Sequence, residues 1–276
     1  MSGTLFLVPT PIGNLSDISA RCREVLLGVD FIAAEDTRVS IKLLNHLQIK
    51  KPLVSYYEHN KSDSGARILA RLLAGESCAL VTDAGSPAIS DPGEDLVRLC
   101  AANGVAVTAI PGPCALVTAL SVSALPTGRF TFEGFLSTAK KSRAAHLAAL
   151  EKETRTMIFY EAPHKLLATL RDLHACFGEN RRISLCRELT KLHEEIFRTT
   201  LGQALAHYTG NAPRGEFVLV IEGAQAQEDA ACTPDAALEL VKALLAQGVT
   251  KKDAVKQVCA ETNYPKNALY DAVLKL

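Results

Sequence analysis

"CALVTDAGSPAISDPGEDL", residues 78–96, places a strand, a loop and a helix start in sequence. Cys78 to Thr82 form a near-continuous apolar run, the pattern of a parallel strand covered on both faces. Asp83 follows at once, and then two glycines and two prolines before the acidic start of a helix. An open α/β sheet binds its ligands at the carboxyl ends of its strands. Small residues there leave backbone N–H and C=O groups open to a flat ligand, and Asp83 or Ser90 can hydrogen-bond polar substituents. Asp91, just ahead of Pro92, holds the position of a helix cap.

Working outward, the same texture recurs twice. "LFLVPTPIGN" (5–14) ends a strand on Pro9 and Pro11, then turns on Gly13 and Asn14 toward a helix capped near Ser16 or Asp17. It is stiff, and it lacks the G-x-G-x-x-G that lets a pyrophosphate approach the backbone. "VAVTAI" (105–110) runs into "PGPCA", with Pro113 at a helix start. Three strand ends of one Pro/Gly character predict a composite cleft.

Strands at 4–8, 30–34, 78–82 and 105–110 alternate with amphipathic helical patterns at 19–27, 38–47, 64–73 and 93–102. That is an α/β layer architecture over residues 1–125. After Pro126 a second α/β domain with a mixed sheet is expected over 126–223. Its strands fall at 129–136, 156–160, 183–187, 196–200 and 216–221, and its helices at 142–150, 163–175 and 201–208. A polar, Ala-rich linker (224–234) leads to an all-helical tail over 234–276, with helices at 235–247, 251–261 and 266–275.

The 276 residues carry 30 Lys and Arg against 30 Asp and Glu, so any polyanion site must be a local patch. Trp is absent and aromatics make up 5%, which argues against a nonspecific single-strand binder built on stacking. Eight scattered cysteines without a C-x-x-C pair read as reduced core thiols. The start, "MSGTLFLV", has no charged n-region, and the uncharged stretch 99–128 is cut by Asn103-Gly104 and Pro111-Gly112-Pro113. A cytoplasmic protein with no membrane span is therefore expected. P-loop, G-x-S-x-G and H-E-x-x-H patterns are absent, and His193-Glu194-Glu195 lacks the P-C-x-x-C of a deaminase. The seven histidines do not cluster at ligand spacing, so no metal is expected.

Other polar groups gather at strand ends. Glu35, Asp36 and Arg38 precede a helix, where capping and local charge pairing compete with a functional role. Tyr56, Glu58, His59, Asn60 and Lys61 sit in an expected loop suited to a nucleotide or sugar, with a solvated loop as the rival reading. Lys191 and His193 are loop candidates whose default is solvation.

Together "PTPIGNLSDIS", "AEDTR", "DAGSPAISDPGEDL", "PGPCA", "FEGFL", "YEAPHK" and "RELTKLHEE" resemble the tetrapyrrole-methylase superfamily, and within it the ribosomal RNA small-subunit methyltransferase I branch. The resemblance spans essentially the whole chain. It implies two α/β domains with S-adenosylmethionine in the cleft between them, and a homodimer. It also implies methylation of the ribose 2′-hydroxyl of a decoding-site cytidine in 16S ribosomal RNA. Ala84-Gly85-Ser86 stands where porphyrin-modifying relatives carry G-D-P, which argues against a tetrapyrrole substrate. Ser137 and Lys165 depart from the Pro and Arg of the branch. By resemblance, Pro9, Asp83, Ala84, Gly85, Ile89, Cys114, Ala115 and Glu161 line the cofactor pocket, and loops 35–38 and 56–61 face the RNA.

A ribose hydroxyl is a poor nucleophile, so a base must take its proton. Glu35, Asp36, His59 and a desolvated Lys191 are the candidates, while Arg38 would hold a phosphate. Tyr56, Asn60 and Lys61 would join it on the substrate. In the tail, Thr250 can cap a helix bearing Lys251, Lys252 and Lys256. Residues 262–265 form a turn, and Lys266 and Tyr270 follow, a helix-turn-helix-like layout for contacting RNA, with a small packing or dimerisation domain as the rival reading. Two other readings stand beside this one: a porphyrinoid methylase, and a catalytically silent RNA-binding assembly factor.

Overall fold

Each of the four apolar runs expected in the first 110 residues is a parallel strand, and the sheet they build holds one strand more. The computed structural model describes residues 2–225, 232–262 and 264–274. The first sheet contains β1 (Thr4–Leu7), β2 (Phe31–Ala34), β3 (Leu53–Ser55), β4 (Cys78–Val81) and β5 (Ala106–Ala109), in the order β3-β2-β4-β1-β5. β3 is the extra strand. It has three residues, directly after Pro52, too few for any period-2 signal; only its register against β2, Ile32 opposite Leu53, defines it.

Strand alternation sorts the core into two layers. Ile32, Ala34, Ala79 and Val81 point to one face and meet Cys22 and Leu26 of α1 (Ala20–Gly28) and Leu44 of α2 (Thr37–His46). Phe31, Ala33, Cys78 and Leu80 point to the other. There they meet Ile68 and Leu72 of α3 (Lys61–Leu73) and Leu96 and Cys100 of α4 (Gly93–Ala102). Adjacent β1 and β4 thus send their chains to helices on opposite faces, and an open sheet leaves a crevice above such a pair.

The second sheet has the order β6-β7-β10-β8-β9. Its strands are β6 (Phe130–Phe135), β7 (Thr156–Glu161), β8 (Arg182–Arg187), β9 (Glu195–Thr200) and β10 (Phe217–Ile221). β6 and β7 run parallel and the other pairs antiparallel, the mixed sheet expected. One face packs on α6 (Lys140–Leu150), α7 (Pro163–Phe177) and α8 (Leu201–Gly210) through Leu147, Leu166, Leu170 and Leu201. The other face is covered by Leu116, Ala119 and Leu120 of α5 (Ala115–Val122), the helix that follows "PGPC". So α5 carries a first-sheet strand end onto the second sheet. The uncharged stretch 99–128 is, as expected, broken among α4, β5 and α5, and among the described residues no helix is long and apolar enough to cross a membrane.

The chain divides into two units, Met1–Ala224 and Gln225–Leu276. In the second, α9 (Pro234–Ala246), α10 (Lys251–Thr262) and α11 (Lys266–Val273) bury Val241, Val255, Val258, Leu269 and Val273 in a core of their own. Thr250 caps α10, accepting from Asp253 N at 3.3 Å and donating to its carboxylate at 2.6 Å. The expected linker lies in large part outside the described residues (226–231), as do Asn263 of the expected turn and Lys275 of the expected last helix.

Candidate functional site

A cavity of about 550 Å³ opens where the strand ends of the first sheet meet the second. Its walls come from the loops after β1, β2, β4 and β5, from the ends of β6, β7 and β8, and from the start of β10. The volume falls in the range of ligand pockets, roughly 300–1,000 Å³.

The two prolines after β1 now have a structural account. Thr10 pairs antiparallel with Gly85: Thr10 N donates to Gly85 O at 2.9 Å, and Gly85 N to Thr10 O at 3.0 Å. Thr10 Oγ1 also donates to Thr82 O at 3.1 Å. Gly85 adopts φ +87°, which only glycine takes without strain. Ala88 and Ser90 take left-handed φ of 67° and 65° as well. Asp91 over-determines that turn, accepting from Ala88 N, Ile89 N and Gly93 N at 3.0, 3.2 and 2.7 Å. Pro92, not the expected Asp91, stands in the cap position of α4, and Asp91 reaches the helix's first N–H from one residue earlier; burial raises its pKa. Ser86 Oγ ties the same loop to Pro113 O at 2.9 Å. Phe132 and Phe135 meet the ring of Tyr160 edge-on. Its hydroxyl accepts from Leu116 N at 3.2 Å, satisfying one open donor at the start of α5. Burial pushes that phenol up to about 12, so it stays neutral.

Charge gives the cavity its character. Among the described residues lining it, Glu35, Asp83, Asp91, Glu161 and Glu216 carry carboxylates, and none is Lys or Arg. Glu35 Oε2 accepts from Thr82 Oγ1 at 2.6 Å. Asp83 Oδ1 accepts from Asp36 N at 3.1 Å. Burial, and then the charge of Glu35, raise the Asp83 pKa above the usual carboxylate range. Glu161 is 5% exposed, with Oε1 accepting from Ala162 N at 2.8 Å. Ile12, Ile89, Leu189, Phe135 and Val218 supply apolar wall. Such a site suits a compact cation with an apolar body. A polyphosphate would meet five carboxylates here and no Lys or Arg among the described lining residues.

The structure brings together Glu35, Asp83, Ala84, Gly85, Ile89, Cys114, Ala115 and Glu161 around this cavity. Pro9 is a correction. It is buried behind the wall, packed so closely on Gly112 that a Cβ there would lie 2.8 Å from Pro9 Cβ. Tyr56 is a second correction, because it is 2% exposed in the core, with its hydroxyl donating to Pro92 O at 3.0 Å. It cannot face RNA. Asn60 closes its own turn, accepting from Tyr57 N and donating to Ser55 O. Lys61 pairs with Asp95 and Glu58, both at 2.8 Å, and lines a separate, more open hollow of about 600 Å³ between α3 and α4. His59 is exposed, edge-on to Tyr57, outside the cavity lining.

Asp36 caps α2 through Arg38 N at 2.8 Å and pairs with the Arg38 guanidinium at 2.6 Å, which holds its carboxyl down to about 2. A carboxylate so held is a weak base. The Arg38 side chain is 87% exposed, open to solvent anions. Lys191 is not the desolvated free amine expected. Burial favours its neutral form, but ion pairs to Glu188 and Glu216 at 2.8 and 2.9 Å outweigh this and raise its pKa. Lys251 and Lys252 are exposed on α10.

Sequence reasoning did not single out Ile12, Thr82, Phe135, Tyr160, His164, Leu189, Glu216 or Phe217. "YEAPHK" offered a signal for Tyr160 and His164, as a polar strand end. Glu216 and Phe217 had none, since β10 reaches the cavity only through its pairing with β7 and β8.

Residues 4–205 match the family described as tetrapyrrole (corrin/porphyrin) methylases. The chain is 48% identical over 274 residues to a ribosomal RNA small subunit methyltransferase I of Synechocystis sp., covering 99% of this chain and 98% of that protein. It is 46% identical over 277 residues to the protein of that name from Pseudomonas aeruginosa, with the same coverage of 99% and 98%. Among solved structures, it resembles a uroporphyrin-III C-methyl transferase from Thermus thermophilus complexed with S-adenyl homocysteine. That match has TM-score 0.55 and 16% identity, covering 79% of this chain and 97% of that one.

Proposed function

The chain belongs to the tetrapyrrole methylase family, and from that premise we propose that it uses S-adenosylmethionine to methylate the ribose 2′-hydroxyl of a cytidine in the decoding region of 16S ribosomal RNA. The observation that carries the cofactor is the cavity's charge: five carboxylates, of which Glu216 is paired with Lys191, apolar walls and no Lys or Arg among the described lining residues. A sulfonium fits that donor set and a dinucleotide does not. Near-full-length relatives named for small-subunit ribosomal RNA support the substrate, and Ala84-Gly85-Ser86 in place of G-D-P supports RNA over a porphyrinoid.

When bound, S-adenosylmethionine supplies an electrophilic methyl group on a sulfonium whose leaving group is a neutral thioether. The residues of this chain do the rest. Asp83 and Glu161 would hold the positive charge, while Gly85, Cys114 and Ala115 would give close approach to backbone. Glu35 takes the proton of the 2′-hydroxyl. It is the only one of the four candidate bases that lines the cavity, and Thr82 Oγ1 holds one of its oxygens in place. A base so positioned contributes about 10²–10⁴-fold. Arg38 binds a backbone phosphate beside the site, and the protein works in the cytoplasm as a homodimer.

Nucleoside mass spectrometry of ribosomal RNA from cells lacking this protein tests the reading. One 2′-O-methylcytidine should disappear from the small-subunit RNA. An unchanged methylation profile would overturn it.

A further inference from the structure

Glu161 is fixed from behind by a chain of donors that starts on a different helix. Arg143 of α6 is 15% exposed and donates from Nε to Asp172 Oδ2 at 2.6 Å, one helical turn along α7 from Thr169. Its Nη2 donates to Thr169 Oγ1 at 2.9 Å. Thr169 is 1% exposed, and its hydroxyl donates in turn to Glu161 Oε2. A guanidinium can only donate, so the threonine oxygen accepts from it, and the single hydroxyl proton is left for Glu161. Ala162 N–H donates to the other oxygen. Both oxygens of Glu161 are therefore acceptors, the arrangement of a carboxylate, at the wall of a cavity lined by no Lys or Arg among the described residues.

We infer that Arg143 and Thr169 are positioning residues: acting through the threonine hydroxyl, they hold Glu161 as an oriented negative charge that makes the cavity prefer a cationic sulfonium over the neutral thioether left after methyl transfer. The inference rests on the proposed function and deepens it. It assigns product release to the same relay, because the carboxylate that attracts the donor has less hold on the product. Neither Arg143 nor Thr169 lines the cavity.

Calorimetric titration of the full chain with S-adenosylmethionine and with S-adenosylhomocysteine tests it. Thr169→Val, which keeps the shape and removes the hydroxyl, should weaken sulfonium binding about tenfold, the scale of one hydrogen bond to a charged group. Thioether binding should change far less, so the preference between the two falls. Arg143→Met should act in the same direction. Thr169→Ser, which keeps the hydroxyl and removes a buried methyl, should retain the wild-type preference. A packing role would give the reverse order, with Ser harmful and Val harmless. An unchanged preference in Thr169→Val and Arg143→Met, with both ligands bound by wild type, would overturn the relay alone. Wild-type protein that binds neither ligand would overturn the cofactor reading and the relay with it.

Discussion

Thr10 and Gly85, 75 positions apart in the chain, exchange two backbone hydrogen bonds and so join the loop after β1 to the loop after β4. A proline on either side of Thr10 restricts the first loop, and the left-handed Gly85 turns the second. The cavity wall is thus built from backbone held at both ends.

Gly85 tests that wall. A Cβ there would lie 3.4 Å from Ile12 Cγ2, and φ is +87°. Gly85→Val should cost about 1–3 kcal/mol of stability from backbone strain. It should also lower affinity for S-adenosylmethionine, because the branched side chain takes space at the cavity wall. Thermal unfolding and calorimetry separate the two effects. Normal binding by a folded variant would remove this loop from the site.

Gly112 tests the packing behind the site. An added Cβ would meet Pro9 Cβ at 2.8 Å and Cγ at 3.0 Å, and a proline ring on a strand end cannot swing away. Gly112→Ala should destabilise by about 1–3 kcal/mol, as overpacking does. Urea unfolding within a few tenths of a kcal/mol of wild type would show that the two loops are looser than this.

The loops that form the site were legible because prolines and glycines mark them whatever the tertiary context. β3 was not, since three residues carry no period, and Tyr56 was misplaced with it. One residue past β3, it is buried under α4 by tertiary packing that the local pattern of polar neighbours conceals. Glu35 and Asp36 look alike in sequence. Only the fold separates them, turning one into the cavity and using the other as a helix cap. Phe135, Tyr160 and Glu216 reach the site through the second sheet's pairing order, a long-range property that no single strand reveals.

Acid should loosen the surface in a defined window. Hydrogen bonds from the arginine two residues on hold Asp36 and Glu153 down to about 2. A carboxyl lowered on folding lends stability that is complete above its unfolded pKa, near 4, and declines as pH falls toward 2. Asp36→Asn and Glu153→Gln should therefore flatten the fall in melting temperature between pH 4 and 2. A slope identical to wild type would mean that these pairs do not form in solution.

The tail should matter for RNA and not for the cofactor. Every cavity residue lies between Ile12 and Val218, while Lys251, Lys252 and Lys256 stand exposed on α10. Truncation after Gly223 should spare S-adenosylmethionine affinity and weaken binding to small-subunit RNA. For each lysine–phosphate pair removed, the salt dependence should flatten by about 0.7–0.9 of a unit of slope. Full methylation rate at subsaturating RNA would assign the tail another role.

The most direct measurement is transfer of a labelled methyl group from S-adenosylmethionine to small-subunit ribosomal RNA or the assembled subunit, followed by nucleoside mass spectrometry, for wild type and Glu35→Gln. The proposed function predicts label in 2′-O-methylcytidine. It also predicts a rate about 10²–10⁴-fold lower for the variant, as for removal of a general base, with cofactor binding retained. Label on a base, label only on a porphyrinoid offered in competition, or full activity in Glu35→Gln would contradict it.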